Sequence, residues 1–126
     1  MKKLSLVLSL TLALILLTCT YAFAKHIHVE RYYQDIWCAQ QNGEVEKIMD
    51  DRTRCDCLTV DMATEVDFAK KFYEGIGQAL HYSMKTGRPG GLLLIVEDKG
   101  DWKYVDRART LVEFYSLPIT IYTIEP

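Results

Sequence analysis

The chain opens with an apolar block and then changes character. Leu4 to Leu17 is an almost unbroken hydrophobic stretch, preceded by Met1-Lys2-Lys3 and followed by Ala22-Phe23-Ala24. A positive start, an apolar core and a small-x-small end are the parts of a secretory signal, so residues 1–24 are expected to be cleaved between Ala24 and Lys25. The block falls short of the ~20 apolar residues a spanning helix requires, which disfavours a retained anchor. Lipoprotein processing at Cys19 is disfavoured too, because Thr18 stands where a smaller residue is usual. A lysine pair before a Leu-rich core has a bacterial look and predicts an exported protein, periplasmic or secreted.

After residue 24 the apolar positions become periodic. Val29 to Gln40 carries Tyr33, Ile36 and Trp37 at helical spacing, and Asn42-Gly43 ends it. Glu44 to Met49 and Arg54 to Thr59 read as two strands around the polar turn Asp50-Asp51-Arg52-Thr53. Thr64 to Phe68 alternates, with Thr64, Val66 and Phe68 on one face and Glu65 and Asp67 on the other. From Ala69 to Lys85 the period lengthens to a helical stripe of Phe72, Ile76, Ala79, Leu80 and Ser83, closed by Gly87 with Pro89 beyond. Leu92 to Val96 is a continuous apolar run, as in a strand covered on both faces. Asp101 reads as the cap of a helix whose inner face holds Trp102, Val105, Ala108, Val112 and Tyr115, and Ile119 to Ile124 closes the chain as a strand. The expected order is α-βββ-α-β-α-β, an α/β sandwich with an antiparallel meander first and helices on its faces.

Composition agrees with a folded unit. Of 126 residues, 49% are hydrophobic and 25% charged, with only 7 Gly and 3 Pro, which excludes a disordered tail or a collagen-like repeat. Removing the leader leaves residues 25–126, enough for a single domain. Lys2 and Lys3 leave with it, so 13 basic side chains face 17 acidic ones, a net charge of −4. That balance argues against tight, non-specific binding of a polyanion.

Cys38, Cys55 and Cys57 remain after cleavage, and an odd number in an oxidising compartment implies one disulfide and one spare thiol. Cys55 and Cys57 are too close along a strand to bridge each other easily, so Cys38 pairs with one of them. Alternation puts both on one face, and Cys57, nearer the sheet interior, is the favoured partner. A zinc site lacks paired cysteine spacing and a fourth ligand. His26 and His28 beside a new amino terminus could hold a copper or nickel ion, but a mobile, hydrated terminus is the plainer reading.

The candidate chemistry lies in the acids. Glu65 and Asp67 emerge on one face of a strand, and Asp56 sits on the strand before it, close across an antiparallel pair. Three gathered carboxylates repel one another unless a cation lies among them. Hard oxygen ligands suit Mg²⁺ or Mn²⁺, which can activate water against a phosphodiester. The plain alternative is a solvated sheet face with Asp56 paired to Arg52 or Arg54. On the following helix Lys71, Gln78 and Tyr82 can face the acids, and a lysine there can stabilise developing negative charge.

Asp56, then Glu65-Val66-Asp67, then Gln78-Ala79-Leu80-His81-Tyr82 resembles the PD-(D/E)xK nuclease superfamily. The resemblance implies a restriction-endonuclease-like sandwich with a central mixed sheet and an Mg²⁺- or Mn²⁺-dependent nuclease acting on DNA or RNA. It implies Asp56 and Glu65 as metal ligands, Asp67 as a third ligand or an orienting group, and Gln78 and Tyr82 near the substrate, as in the RecB-like branch. Glu30 is similar to the extra acid that resolvase-type members carry on the first helix. Two positions depart from the pattern: Asp67 replaces the usual lysine and Cys55 the usual proline. Lys70 or Lys71 is then the substitute cation, with Lys71 favoured. The competing reading is a non-catalytic exported domain that kept the fold and binds a partner protein or an envelope component.

Overall fold

In a computed structural model that describes residues 26–126, the elements run in the expected order. They are α1 (Glu30–Gln40), β1 (Glu44–Ile48), β2 (Arg54–Leu58), β3 (Ala63–Phe68), α2 (Phe72–Thr86), β4 (Gly90–Ile95), α3 (Trp102–Phe114) and β5 (Ile119–Ile124). The leader, the cleavage site at Ala24 and Lys25, and Cys19 lie outside the described residues. Among the described residues no helix is long and apolar enough to cross a membrane.

The five strands form one mixed sheet in the order β1-β2-β3-β4-β5. The first three are antiparallel, and β4 and β5 run parallel to β3 and to each other. A parallel step needs a crossover, which α2 and α3 provide. Tyr33, Trp37 and Cys38 of α1 pack with Cys57, Val66, Leu93 and Ile95 on one face. Phe72, Ile76 and Ala79 of α2 and Val105 and Ala108 of α3 pack with Leu92 and Leu94 on the other. Covering on both sides explains why β3 and β4 are buried along nearly their whole length.

Cys38 and Cys57 form a disulfide across 19 positions of sequence, tying α1 to β2. Gly43 lies against it: a Cβ there would stand 2.4 Å from the Cys57 Sγ and 2.6 Å from the Cys38 Sγ. Among the described residues Cys55 is the free cysteine, and it is buried. It does not share a cluster with Cys57, contrary to simple alternation. Cys57 packs with α1, whereas Cys55 packs with Ala63 and with Tyr82 of α2. Between them the β1–β2 register lapses: Val45 pairs with Cys57 and Lys47 with Cys55, Glu46 and Asp56 are left without a pair, and Glu46 takes a φ of +56°.

Other details differ at helix ends. Asp101 makes no side-chain cap; a short 3₁₀ turn, Lys99–Asp101, precedes α3, and Asp98 caps it by accepting from the Gly100 amide at 2.6 Å. Tyr115 lies beyond the end of α3 and is exposed instead of joining its inner face. A 3₁₀ turn, Ala69–Lys71, likewise precedes α2, and Gly87 ends α2 with a left-handed φ of +67°.

Candidate active site

The β2–β3 ladder creates the opening of the site. Its pairs are Leu58 with Ala63 and Cys57 with Thr64. At the next step the Asp56 side chain takes over from the backbone: the Val66 amide donates to its Oδ2 at 2.8 Å. The Asp56 amide in turn donates to the Glu65 Oε1 at 3.3 Å. Register with β4 places Glu65 beside Leu92 and Asp67 beside Leu94, which pack against α2. Gly75 lets α2 lie close there, since a Cβ on it would meet the Leu92 Cδ1 at 2.6 Å. Gly77 faces open space and has no such role.

The result is a cavity of about 190 Å³ lined by Glu30, Glu46, Arg54, Asp56, Glu65, Val66, Asp67, Lys71, Glu74 and Gln78. Glu65 and Asp67 are nearly sealed from solvent, at 2% and 5% exposure. Taking a carboxylate out of water favours its protonated form. Burial therefore raises the Glu65 and Asp56 carboxyls, and each is raised further by neighbouring acids: Asp56 acts on Glu65, and Glu30 and Glu46 act on Asp56. Asp67 is pushed up to about 7 by burial and by Glu30, against the pull of Lys71 and the Phe68 amide. Glu30 is raised by burial, although Lys71 and a hydrogen bond with Asp67 lower it.

The two lysines diverge. The Lys71 Nζ lies 3.8 Å from the Asp67 Oδ1 and Lys71 lines the cavity, whereas Lys70 reaches Asp101 at 3.5 Å. Gln78 joins the lining, and Glu30 enters it from the first turn of α1. Tyr82 does not. It is buried beside Cys55 and Ala63, so it supports α2 on the sheet and does not face a ligand in this cavity.

Glu46, Arg54 and Glu74 are the charged lining residues the sequence pattern did not single out for the site. The left-handed φ of Glu46 costs a non-glycine residue about 1–3 kcal/mol, and its surroundings hold it there. The Arg54 Nη1 lies 2.8 Å and the Arg31 Nη1 3.7 Å from its carboxylate. The side-chain amide of buried Gln34 donates to the Glu46 Oε1 at 3.1 Å and to the Asp56 carbonyl at 2.9 Å. Arg54 thus pairs with Glu46, not Asp56.

The donor set is oxygen only, which suits Mg²⁺ or Mn²⁺ better than a soft metal. Yet among the described residues no three His, Cys, Asp or Glu side chains stand close enough to share an ion. Seating a cation would require these carboxyls to lose protons and turn toward a common point.

A second polar cluster ties down the segment before α1. Glu97 accepts from the Tyr33 hydroxyl at 2.8 Å and the His28 amide at 3.0 Å, and the His26 Nδ1 lies 2.8 Å from its other oxygen. The His26 ring also stacks on Phe68 at 3.6 Å between centroids. Both histidines are thus tied to Glu97, His26 through its ring and His28 through its backbone amide, while the His26 side chain stays 45% exposed to water. No protein-family model, no curated protein and no solved structure shows a significant match to this chain.

Proposed function

We propose that the acidic cavity is the site of a divalent-cation-dependent phosphodiesterase, a nuclease-like exported protein on a restriction-endonuclease-like fold. The observation that carries this reading is the convergence of Asp56, Glu65 and Asp67 from two adjacent strands with Lys71 from the following helix in one cavity. Asp56 and Glu65 would hold Mg²⁺ or Mn²⁺, with Asp67 as third ligand or orienting group, and a cation held there would supply an activated water. Lys71 offsets negative charge beside Asp67, the position where the superfamily's lysine is absent. Gln78 and Glu30 both line the cavity and would meet the DNA or RNA substrate.

A second reading has its own support. No three potential ligands stand within reach of one ion among the described residues, and Asp56 already accepts the Val66 amide. That arrangement suits a domain of this fold that no longer catalyses and binds a protein or an envelope component.

One experiment separates the two. Thermal midpoints are measured with and without Mn²⁺, and hydrolysis of plasmid and single-stranded substrates is compared for the native protein, Asp67→Lys and Lys71→Ala. The phosphodiesterase reading expects Mn²⁺ to raise the midpoint by binding the folded state, Lys71→Ala to lose activity and Asp67→Lys to gain it. An unchanged midpoint with all three proteins inactive replaces it with the binding-domain reading.

A further inference from the structure

We propose that Arg54 and Arg31 form a phosphate-gripping subsite at the mouth of the cavity, held closed in the free protein by the carboxylate of Glu46. The inference rests on the phosphodiesterase reading and names the substrate contact outside the acidic interior. Its starting point is an anomaly: a glutamate, not a glycine or asparagine, sits in the left-handed region in the middle of a strand. Such a conformation persists only where surrounding contacts impose it, and it collects at functional sites.

The contacts around Glu46 are those an oxyanion would make. The Arg54 guanidinium lies 2.8 Å from its Oε2, the Arg31 guanidinium 3.7 Å from its Oε1, and the buried Gln34 amide donates to the same Oε1 at 3.1 Å. Arg31 is anchored from behind by Asp35, one turn along α1. Both arginines are at least half exposed, whereas the Glu46 side chain is 26% exposed. A carboxylate and a phosphodiester present the same pair of anionic oxygens to a guanidinium fork. A backbone phosphate of a nucleic-acid strand can therefore take the place of Glu46, which is then free to leave its strained conformation. The neighbouring phosphate would lie deeper, toward Lys71.

The test reads binding apart from hydrolysis. Anisotropy of a labelled single-stranded oligonucleotide in Ca²⁺ buffer is followed for the native protein, Glu46→Gln, Glu46→Gly and Glu46→Gln/Arg54→Ala. Both single variants are expected to bind about three- to fivefold more tightly, the scale of one exposed charge pair released. Glu46→Gly also removes the backbone strain, so a fold disturbed by glutamine does not confound it. The double variant is expected to lose that gain, and with it about 0.7 of the slope of log affinity against log salt per phosphate contact. Unchanged affinity in both single variants, or a gain that survives Arg54→Ala, overturns the subsite. Tightening through Arg54 in a protein that hydrolyses nothing with Mn²⁺ keeps the subsite and removes the phosphodiesterase reading.

Discussion

The Val66 amide donates to the Asp56 carboxylate at 2.8 Å, at the point where the β2–β3 ladder ceases to pair backbone with backbone. Asp56 is thus a structural acceptor as well as a candidate ligand, and truncating it tests two things at once. Asp56→Ala leaves the Val66 amide without this acceptor, a loss of about 1–3 kcal/mol for a buried donor. Asp56→Asn keeps a carbonyl oxygen and removes the charge that raises Glu65. The expected order of thermal midpoints near pH 7 is alanine variant lowest, with asparagine at or above native. Equal losses for both would show that the charge, and not the acceptor, matters there.

Glu97 supplies a pH test at a distance from the acidic cavity. Burial alone would raise its carboxyl, but hydrogen bonds from the His28 amide, the Tyr33 hydroxyl and His26 outweigh that and hold it down to about 2. A carboxyl depressed in the folded state contributes stability that is complete above its ordinary value of 4.5 and fades as pH falls toward about 2. Thermal melts at pH 7, 4.5 and 2.5 are expected to show the native protein converging on Glu97→Gln only below 4.5. A separation that stays constant across the three would remove the titration of Glu97 from the account.

What the sequence revealed of this site followed from local periodicity. Asp56, Glu65 and Asp67 could be placed on adjacent strands because strand alternation puts Glu65 and Asp67 together, and Lys71 follows four positions after Asp67, at the end of the 3₁₀ turn that leads into α2. Glu46 could not be placed, because glutamate carries no preference for a positive φ and its carboxylate partners, Gln34, Arg31 and Arg54, lie on other elements. The same irregularity at Asp56 separates Cys55 from Cys57 and defeats the alternation rule for them. Glu97 was hidden for a different reason: its partners lie 64 to 71 positions away. Tyr82 was readable in principle, since it continues the spacing of Phe72, Ile76 and Ala79 and so belongs to the buried stripe of α2.

The cysteines make a prediction about accessibility. Burial, with the nearby Glu65 adding to it, pushes the Cys55 thiol up to about 12, so little thiolate is present at neutral pH. In the chain without residues 1–24, which removes Cys19, iodoacetamide is expected to leave the native, oxidised protein unmodified and to label Cys55 alone once it is unfolded without reductant. Labelling of Cys38 or Cys57 under those conditions would contradict the disulfide.

The disulfide and Gly43 should also be coupled energetically. Reduction is expected to cost about 2–4 kcal/mol, because the unfolded chain loses a crosslink that closes a loop. Gly43 has a specific reason to be glycine: a Cβ there would lie 2.4 Å and 2.6 Å from the two bonded sulfur atoms. While the bond is intact those sulfurs are fixed against α1 and β2 and cannot move aside. Once it is reduced, each thiol can rotate about its own side chain and make room. Gly43→Ala is therefore expected to lower the midpoint of the oxidised protein more than that of the reduced one, a coupling that melts of both proteins with and without dithiothreitol read directly. Equal effects in the two redox states would mean that the cost lies in the backbone at residue 43, and that the sulfur contact contributes nothing.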